Sequence, residues 1–476
     1  MSGHGKNIAL QGLLDEAELS NAALGRAVVA AGAREGTHVG TNTTSVRRML
    51  EGCQPRWPAP RLVASVLSQR LQREVTVTEC GFVDCAPPEE DPYDGLRCSG
   101  TLEGTVRTVV ELSGRDMRRR KLLLGSVFSA AAFAEPALFA LTIPPAESTA
   151  RAAGRRVGMA DVEVLTEQIT HLSKLSHQYG SGRVREQVVQ LLHREANQLL
   201  HGSYSEKTGR ALLSAVAKAT RAAGFMSGDV GRHSLAQRYH IQALDLAIRA
   251  GDRRYGADIL AEASRLTVRI GENAPAGQDT LRHGRQAVAL ARAGLTIAQD
   301  TATPALAAKL HAMEARGFAL LGDAREARHA VAAAQRCYES VSLEDAALFY
   351  TVNGFGGDLG KCLSGIGDTK QAITLSTTAL NGTEPWAVRP LCLVQTDLAL
   401  THLHGRDLEQ AAAFGRDALR TVTNLSSTIT VERLRTLQRQ VHPLRSASPH
   451  LTDLDDRLTG FLTHTTRRQH DDDHAL

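Results

Sequence analysis

Val46, Met49 and Leu50 recur at helical spacing, so they define one apolar face of a short helix and leave Arg47 and Arg48 off it. Thr43, Thr44 and Ser45 stand where hydroxyls can cap that helix. Gly52, Pro55 and Pro58 stop it. An apolar run, Leu62-Val63-Ala64-Ser65-Val66-Leu67, predicts the next helix, and Ala22 to Ala31 predicts the preceding one. From Asp161 the pattern is helical almost to the C terminus. Helices open at Gly231-Arg232-His233, Gly322-Asp323-Ala324, Gly367-Asp368-Thr369 and Arg406-Asp407-Leu408. An alanine follows each opening at the same distance (Ala236, Ala327, Ala372, Ala411), small enough for two helices to approach closely. A further unit is predicted from Ala257 to Ala298, with a longer turn at Gly271 to Gln278.

Composition sharpens this picture. With 476 residues the chain exceeds one compact core. Only 4% of residues are aromatic while alanine abounds, which favours close-packed helices over β-sandwiches. The predicted class is all-α: a helix-turn-helix domain at 1–83, a linker with an apolar helical segment at 84–155, a helical-repeat solenoid at 156–445 and a polar tail at 446–476. Within the tail, His470-Asp471-Asp472-Asp473-His474 is expected to be disordered.

Charge singles out one region. The whole chain carries +4, yet between Thr43 and Arg73 the arginines at 47, 48, 56, 61, 70 and 73 face the single acid Glu51. A local positive field of that kind suits phosphate contact, although a solvated helix face would carry the same charges. The seven cysteines form no Cys-x-x-Cys pair and read as reduced thiols of a cytoplasmic protein. Arg118-Arg119-Arg120-Lys121 followed by Leu122 to Ala134 has the pattern of a twin-arginine export signal. It lies behind a folded domain and is interrupted by Glu135-Pro136, so it is read as a helical linker rather than a membrane segment.

The stretch from Thr43 to Leu67, with its hydroxyl-rich start, Glu51-Gly52 end, Arg56-Pro58 loop and apolar helix, resembles the second half of an XRE-type, lambda-repressor-like helix-turn-helix. That resemblance implies double-stranded DNA as partner, a homodimer on two half-sites, and contacts from Thr43, Thr44, Ser45, Arg47, Arg48 and Arg56. Residues 32–40 form an insertion where the family has an ordinary turn, which puts the placement of the arginines in question. The later hairpins resemble tetratricopeptide repeats. Their stacking implies a concave surface for a peptide, small-molecule or protein ligand. Ala223 to Tyr239 looks like a signature of actinobacterial regulators joining these two modules, including Streptomyces negative regulators of differentiation and antibiotic production. Phe225 departs from the usual tryptophan there, and Asn353-Gly354-Phe355-Gly356-Gly357 is glycine-rich where the family has a plain helix, so a loosened helix is expected.

No catalytic constellation emerges. Gly354-x-Gly356-Gly357-x-x-Gly360 lacks the preceding strand of a dinucleotide fold. His193-Arg194-Glu195 is not a zinc-peptidase motif. His171 and His177, near Ser173 and Ser176, set up no triad. Arg238-Tyr239-His240 lies beside the expected concave surface, with Tyr239 reading as core. The sequence therefore points to a transcriptional regulator without enzymatic activity, cofactor or metal. The alternative is a repeat adaptor whose N-terminal domain no longer binds DNA.

Overall fold

A computed structural model describes residues 6–34, 39–83, 94–117, 128–142, 148–274 and 277–474, with side chains to residue 465. They are helical throughout, and apart from two isolated β-bridges no strand occurs among them. The chain divides into two compact units, Met1–Pro92 and Tyr93–Leu476.

The first unit contains α1 (Ile8–Glu16), α2 (Asn21–Arg34), α3 (Thr43–Leu50) and α4 (Ala59–Leu71). Leu10, Leu24, Val28, Val46, Leu62 and Leu67 meet in its core, each fully buried. The insertion read at 32–40 begins as the last turn of α2, and residues 35–38 lie outside the described residues.

The second unit begins with α5 (Leu102–Met117) and α6 (Ala134–Thr142), both within the segment read as a linker. Val109, Leu112, Phe133, Ala137 and Ala140 share a core with the repeats, so one face of the apolar run past residue 127 is packed there while Leu138 and Leu141 are exposed. Its basic start, 118–127, lies outside the described residues. Next come α7 (Met159–Tyr179), α8 (Arg185–Gln190), a π-helical turn Leu191–Ala196 and α9 (Asn197–Leu200).

The repeats follow as α10 (Glu206–Asp229), α11 (His233–Arg249), α12 (Arg253–Asn273), α13 (Gln278–Ile297), α14 (Pro304–Leu321), α15 (Ala324–Tyr338), α16 (Leu343–Leu348), α17 (Val352–Gly365), α18 (Thr369–Asn381), α19 (Val388–His404), α20 (Leu408–Val422), α21 (Thr428–Val441) and α22 (Pro449–His474). Antiparallel pairs α10–α11, α12–α13, α14–α15, α17–α18 and α19–α20 form hairpins. Ala236, Ala327, Ala372 and Ala411 are fully buried, as their spacing predicts.

One turn chemistry recurs. Gly322 (φ 76) and Gly367 (φ 85) end their helices in the left-handed region. The next residue, Asp323 or Asp368, accepts the N–H of Glu326 or Gln371 at 3.1 and 3.3 Å and caps the following helix. Asp407 caps α20 in the same way, with Arg406 in the left-handed conformation before it.

Two expectations need correction. The glycine-rich stretch forms regular helix α17 rather than a loosened one, because its glycines serve contact. A Cβ at Gly356 would lie 2.4 Å from the Leu375 carbonyl oxygen, so only glycine lets α17 approach α18 this closely. Residues 446–476, read as a polar tail, are not polar throughout. They contain α22, whose Leu451, Leu454 and Leu458 are fully buried and cover the end of the stack.

Candidate nucleic-acid interface

The sequence places one helix of the first unit in the role of anion reader, and the structure fixes it from both ends. Its cap is Asn42, not the hydroxyls of Thr43, Thr44 or Ser45. Asn42 Oδ1 accepts the Ser45 backbone N–H at 2.9 Å and the Ser45 hydroxyl at 3.1 Å. The three hydroxyl residues thus occupy the first turn, with Thr43 and Thr44 exposed. A Cβ at Gly25 of α2 would fall 3.2 Å from the Asn42 carbonyl carbon, so the start of α3 is held directly against α2.

At the other end Gly52 takes φ 89. Its N–H donates to the Met49 carbonyl at 3.1 Å, and that of Cys53 donates to the Arg48 carbonyl at 2.9 Å, the paired bonds of a Schellman stop. The Asn7 N–H donates to the Leu50 carbonyl at 2.9 Å. In the loop beyond, the Gln54 carboxamide exchanges two 3.0 Å bonds with the Val83 backbone.

Val46 and Met49 are buried, and Arg47, Arg48 and Arg56 are exposed. The helix therefore offers Thr43, Thr44, Arg47 and Arg48 on a rigid support, with Arg56 in the adjoining loop. Ser45 contributes less, since its hydroxyl is already engaged.

The local positive surplus is smaller in space than along the chain. Arg47 Nε lies 3.2 Å from Glu51 Oε1, a pair with both side chains more than half exposed. Arg73 lies 3.2 Å from Glu16 and 2.6 Å from Glu79, acids that fall outside the basic stretch from Thr43 to Arg73. Arg70 donates to the Ala17 carbonyl. Arg48 and Arg56 are exposed and form no ion pair among the described residues.

In the second unit, α10, α12, α14, α17, α19 and α21 touch in succession as one layer, and α7 touches both α10 and α19. The curvature thus goes beyond an open groove: the inner layer closes on itself. Asp229 at the end of α10 fastens the closure. Its carboxylate accepts Arg389 Nε and the Ser427 hydroxyl, each at 2.8 Å, and the Ser181 N–H at 3.1 Å. These partners hold its pKa below the usual carboxylate range despite burial.

The inner layer is lined with ion pairs. Lys309 lies 2.6 Å from both Asp258 and Glu262, Arg316 lies 2.9 Å from Asp358 and 3.0 Å from Glu272, and Lys361 lies 2.8 Å from Glu272. Sequence reasoning missed this lining. Its signal was the recurrence of charge within otherwise apolar helices, as in Asp258-Glu262-Arg265-Arg269-Glu272 of α12.

The Arg238-Tyr239-His240 triplet serves the scaffold. Arg238 Nε donates to the Asp94 carbonyl at 2.9 Å, and Tyr239, fully buried, donates its hydroxyl to Asp116 at 2.9 Å. His177 packs edge-on against Phe225. Side chains of His470 to His474 lie outside the described residues. Among the described residues no cluster of metal-ligating side chains occurs, and no helix is long and apolar enough to cross a membrane.

No curated protein matches the chain. A family model described as the SP15 N-terminal domain matches residues 10–83, a span that runs from within α1 through α4 and ends before the repeats.

Proposed function

We propose that this chain is a DNA-binding transcriptional regulator that acts by binding rather than catalysis. In this reading α3 enters the major groove, Arg48 and Arg47 contact phosphates or guanine edges, Thr43 and Thr44 fix the helix on the backbone, and Arg56 contacts a flanking phosphate. The observation that carries the reading is the helix itself. It is capped, stopped and anchored by Val46 and Met49 while its polar face remains open. The resemblance to actinobacterial regulators supports a repressor of development or secondary metabolism working in the cytoplasm, with the repeats as sensing or dimerisation domain.

The test is a salt-dependent DNA-binding titration of the full chain against Arg47→Ala/Arg48→Ala. The double variant should lose more than about 1 kcal/mol of affinity, the scale of a lost bidentate base contact, and its salt slope should flatten. Unchanged binding with folding intact would remove the assignment. One short helix makes too few contacts for tight specificity, so the protein should sediment as a dimer on its DNA. A strict monomer with and without DNA would contradict that part.

The Arg47–Glu51 pair favours one second reading, an adaptor whose N-terminal unit recognises protein. In that case the repeats bind partners, and no salt-dependent DNA affinity appears.

A further inference from the structure

Within the closed inner layer one cation stands apart. Arg221 pairs with Asp258 and Glu262, Arg265 with Glu262 and Asp358, Arg389 with Asp229, and Arg433 with Asp397. Arg269 has no such partner: among the described residues its one hydrogen bond runs from Nη2 to the Gly228 carbonyl at 3.3 Å. Its Nε is buried without an acceptor. So are the Nε of Arg316 and the Nε2 of His233, both within electrostatic reach of Arg269.

Two carboxylates lie near enough to be felt, and neither forms an ion pair with it. Asp229 is already taken up by Arg389, Ser181 and Ser427. Glu432 forms no ion pair with Arg269, and burial raises its carboxyl pKa. Burial and the neighbouring Arg389 and Arg316 push the Arg269 guanidinium down to about 10, so it keeps its charge at neutral pH. A charge held partly out of water with no ion-pair partner is costly unless something supplies the counter-charge.

We infer that Arg269, with the unsatisfied donors of Arg316 and His233 beside it, forms a site for an oxyanion, the carboxylate or phosphate group of a small molecule bound inside the repeat ring. The guanidinium edge with its free Nε–H matches the two oxygens of such a group, and neutral His233 adds a donor or an acceptor according to tautomer. Accessibility fits: Arg269 is half-buried rather than sealed, and the neighbouring Arg265, Lys361 and Arg433 side chains keep a fifth to a quarter of their surface open, whereas the Asp258, Glu262 and Asp358 carboxylates lie deeper. Glu272 is comparably open at 26%, but its two oxygens are engaged by Arg316 and Lys361, whereas Arg269 has no ion pair among the described residues. The inference gives the sensing role proposed for the repeats a ligand class. It stands on the repeats alone, so its failure and that of DNA binding are separately visible.

Thermal unfolding of the full chain, followed at constant ionic strength in chloride, tests it with inorganic phosphate in one arm and citrate in the other. A saturable rise in Tm in either arm is expected, and the more effective arm identifies the group. Arg269→Gln should abolish that rise while unfolding, without anion, at or above the wild-type temperature, since an uncompensated charge has been removed. Arg269→Lys keeps the charge but not the fork and should need about tenfold more anion. No saturable response of the wild type in either arm would overturn the site. So would a response of Arg269→Lys and Arg269→Gln equal to that of the wild type.

Discussion

Glu51 limits what α3 can do. It is the one acid on a helix end otherwise built of arginine and hydroxyl groups, and it holds Arg47 in an exposed i,i+4 pair. Such a pair contributes only a few tenths of a kcal/mol to folding, but it places a negative charge where a phosphate would lie. Glu51→Gln should therefore leave the unfolding temperature almost unchanged and tighten DNA binding several-fold at low salt, with a steeper salt dependence. Fluorescence anisotropy at two salt concentrations measures both. Weaker or unchanged binding would mean that Arg47 does not face the nucleic acid. At this scale the sequence showed which residues are apolar and which are charged. It did not show the Asn42 cap, although an asparagine three residues before Ser45 is a legible capping signal, nor the pairing of Arg73 with Glu16, which is distant in the chain.

Helix ends and helix contacts use glycine in two different ways, and substitution separates them. Gly367 (φ 85) has open space where a Cβ would sit, so Gly367→Ala should cost only the left-handed backbone penalty, about 1–2 kcal/mol. Gly356 has ordinary helical geometry but no room, since an added methyl would lie 2.4 Å from the Leu375 carbonyl oxygen. Gly356→Ala must push α17 away from α18 and should be the more damaging, by about 1–3 kcal/mol relative to a fitted alanine. Chemical denaturation of both variants gives the order, and the reverse order would refute this account of the close approach. Gly-Asp punctuation was readable in the sequence because the turn is local. The glycine-rich helix was misread because the reason for its glycines lies on another helix.

Ring closure sets the behaviour of the whole second unit. Within that unit His240 is buried and His177 and His233 are half-buried, and loss of solvent lowers each imidazole pKa from the ordinary 6.5 to about 4. A depressed histidine pKa means that the unfolded chain binds protons which the folded one refuses. The associated stability is fully present above about pH 6.5 and is lost as pH falls toward 4. The unfolding temperature should fall steadily between pH 7 and 5, and His240→Gln should reduce the slope. Calorimetry across that range decides, and a flat profile would show that these rings are not shielded from solvent.

The sequence by itself determined what depends on neighbours along the chain: the all-α class, the helix at 43–50 with its glycine stop, and the hairpin turns with their buried alanines. Helical periodicity and turn chemistry are written within a few residues, so they survive without knowledge of the fold. Tertiary structure decided what depends on residues far apart. Asp229 reaches Ser427 and Arg389 only because the repeats curl through a full circuit, and Arg269 is left over only because every carboxylate around it has been claimed elsewhere or lies beyond ion-pair distance. α22 likewise reads as a polar tail until the apolar end of the stack, which its leucines cover, is in view.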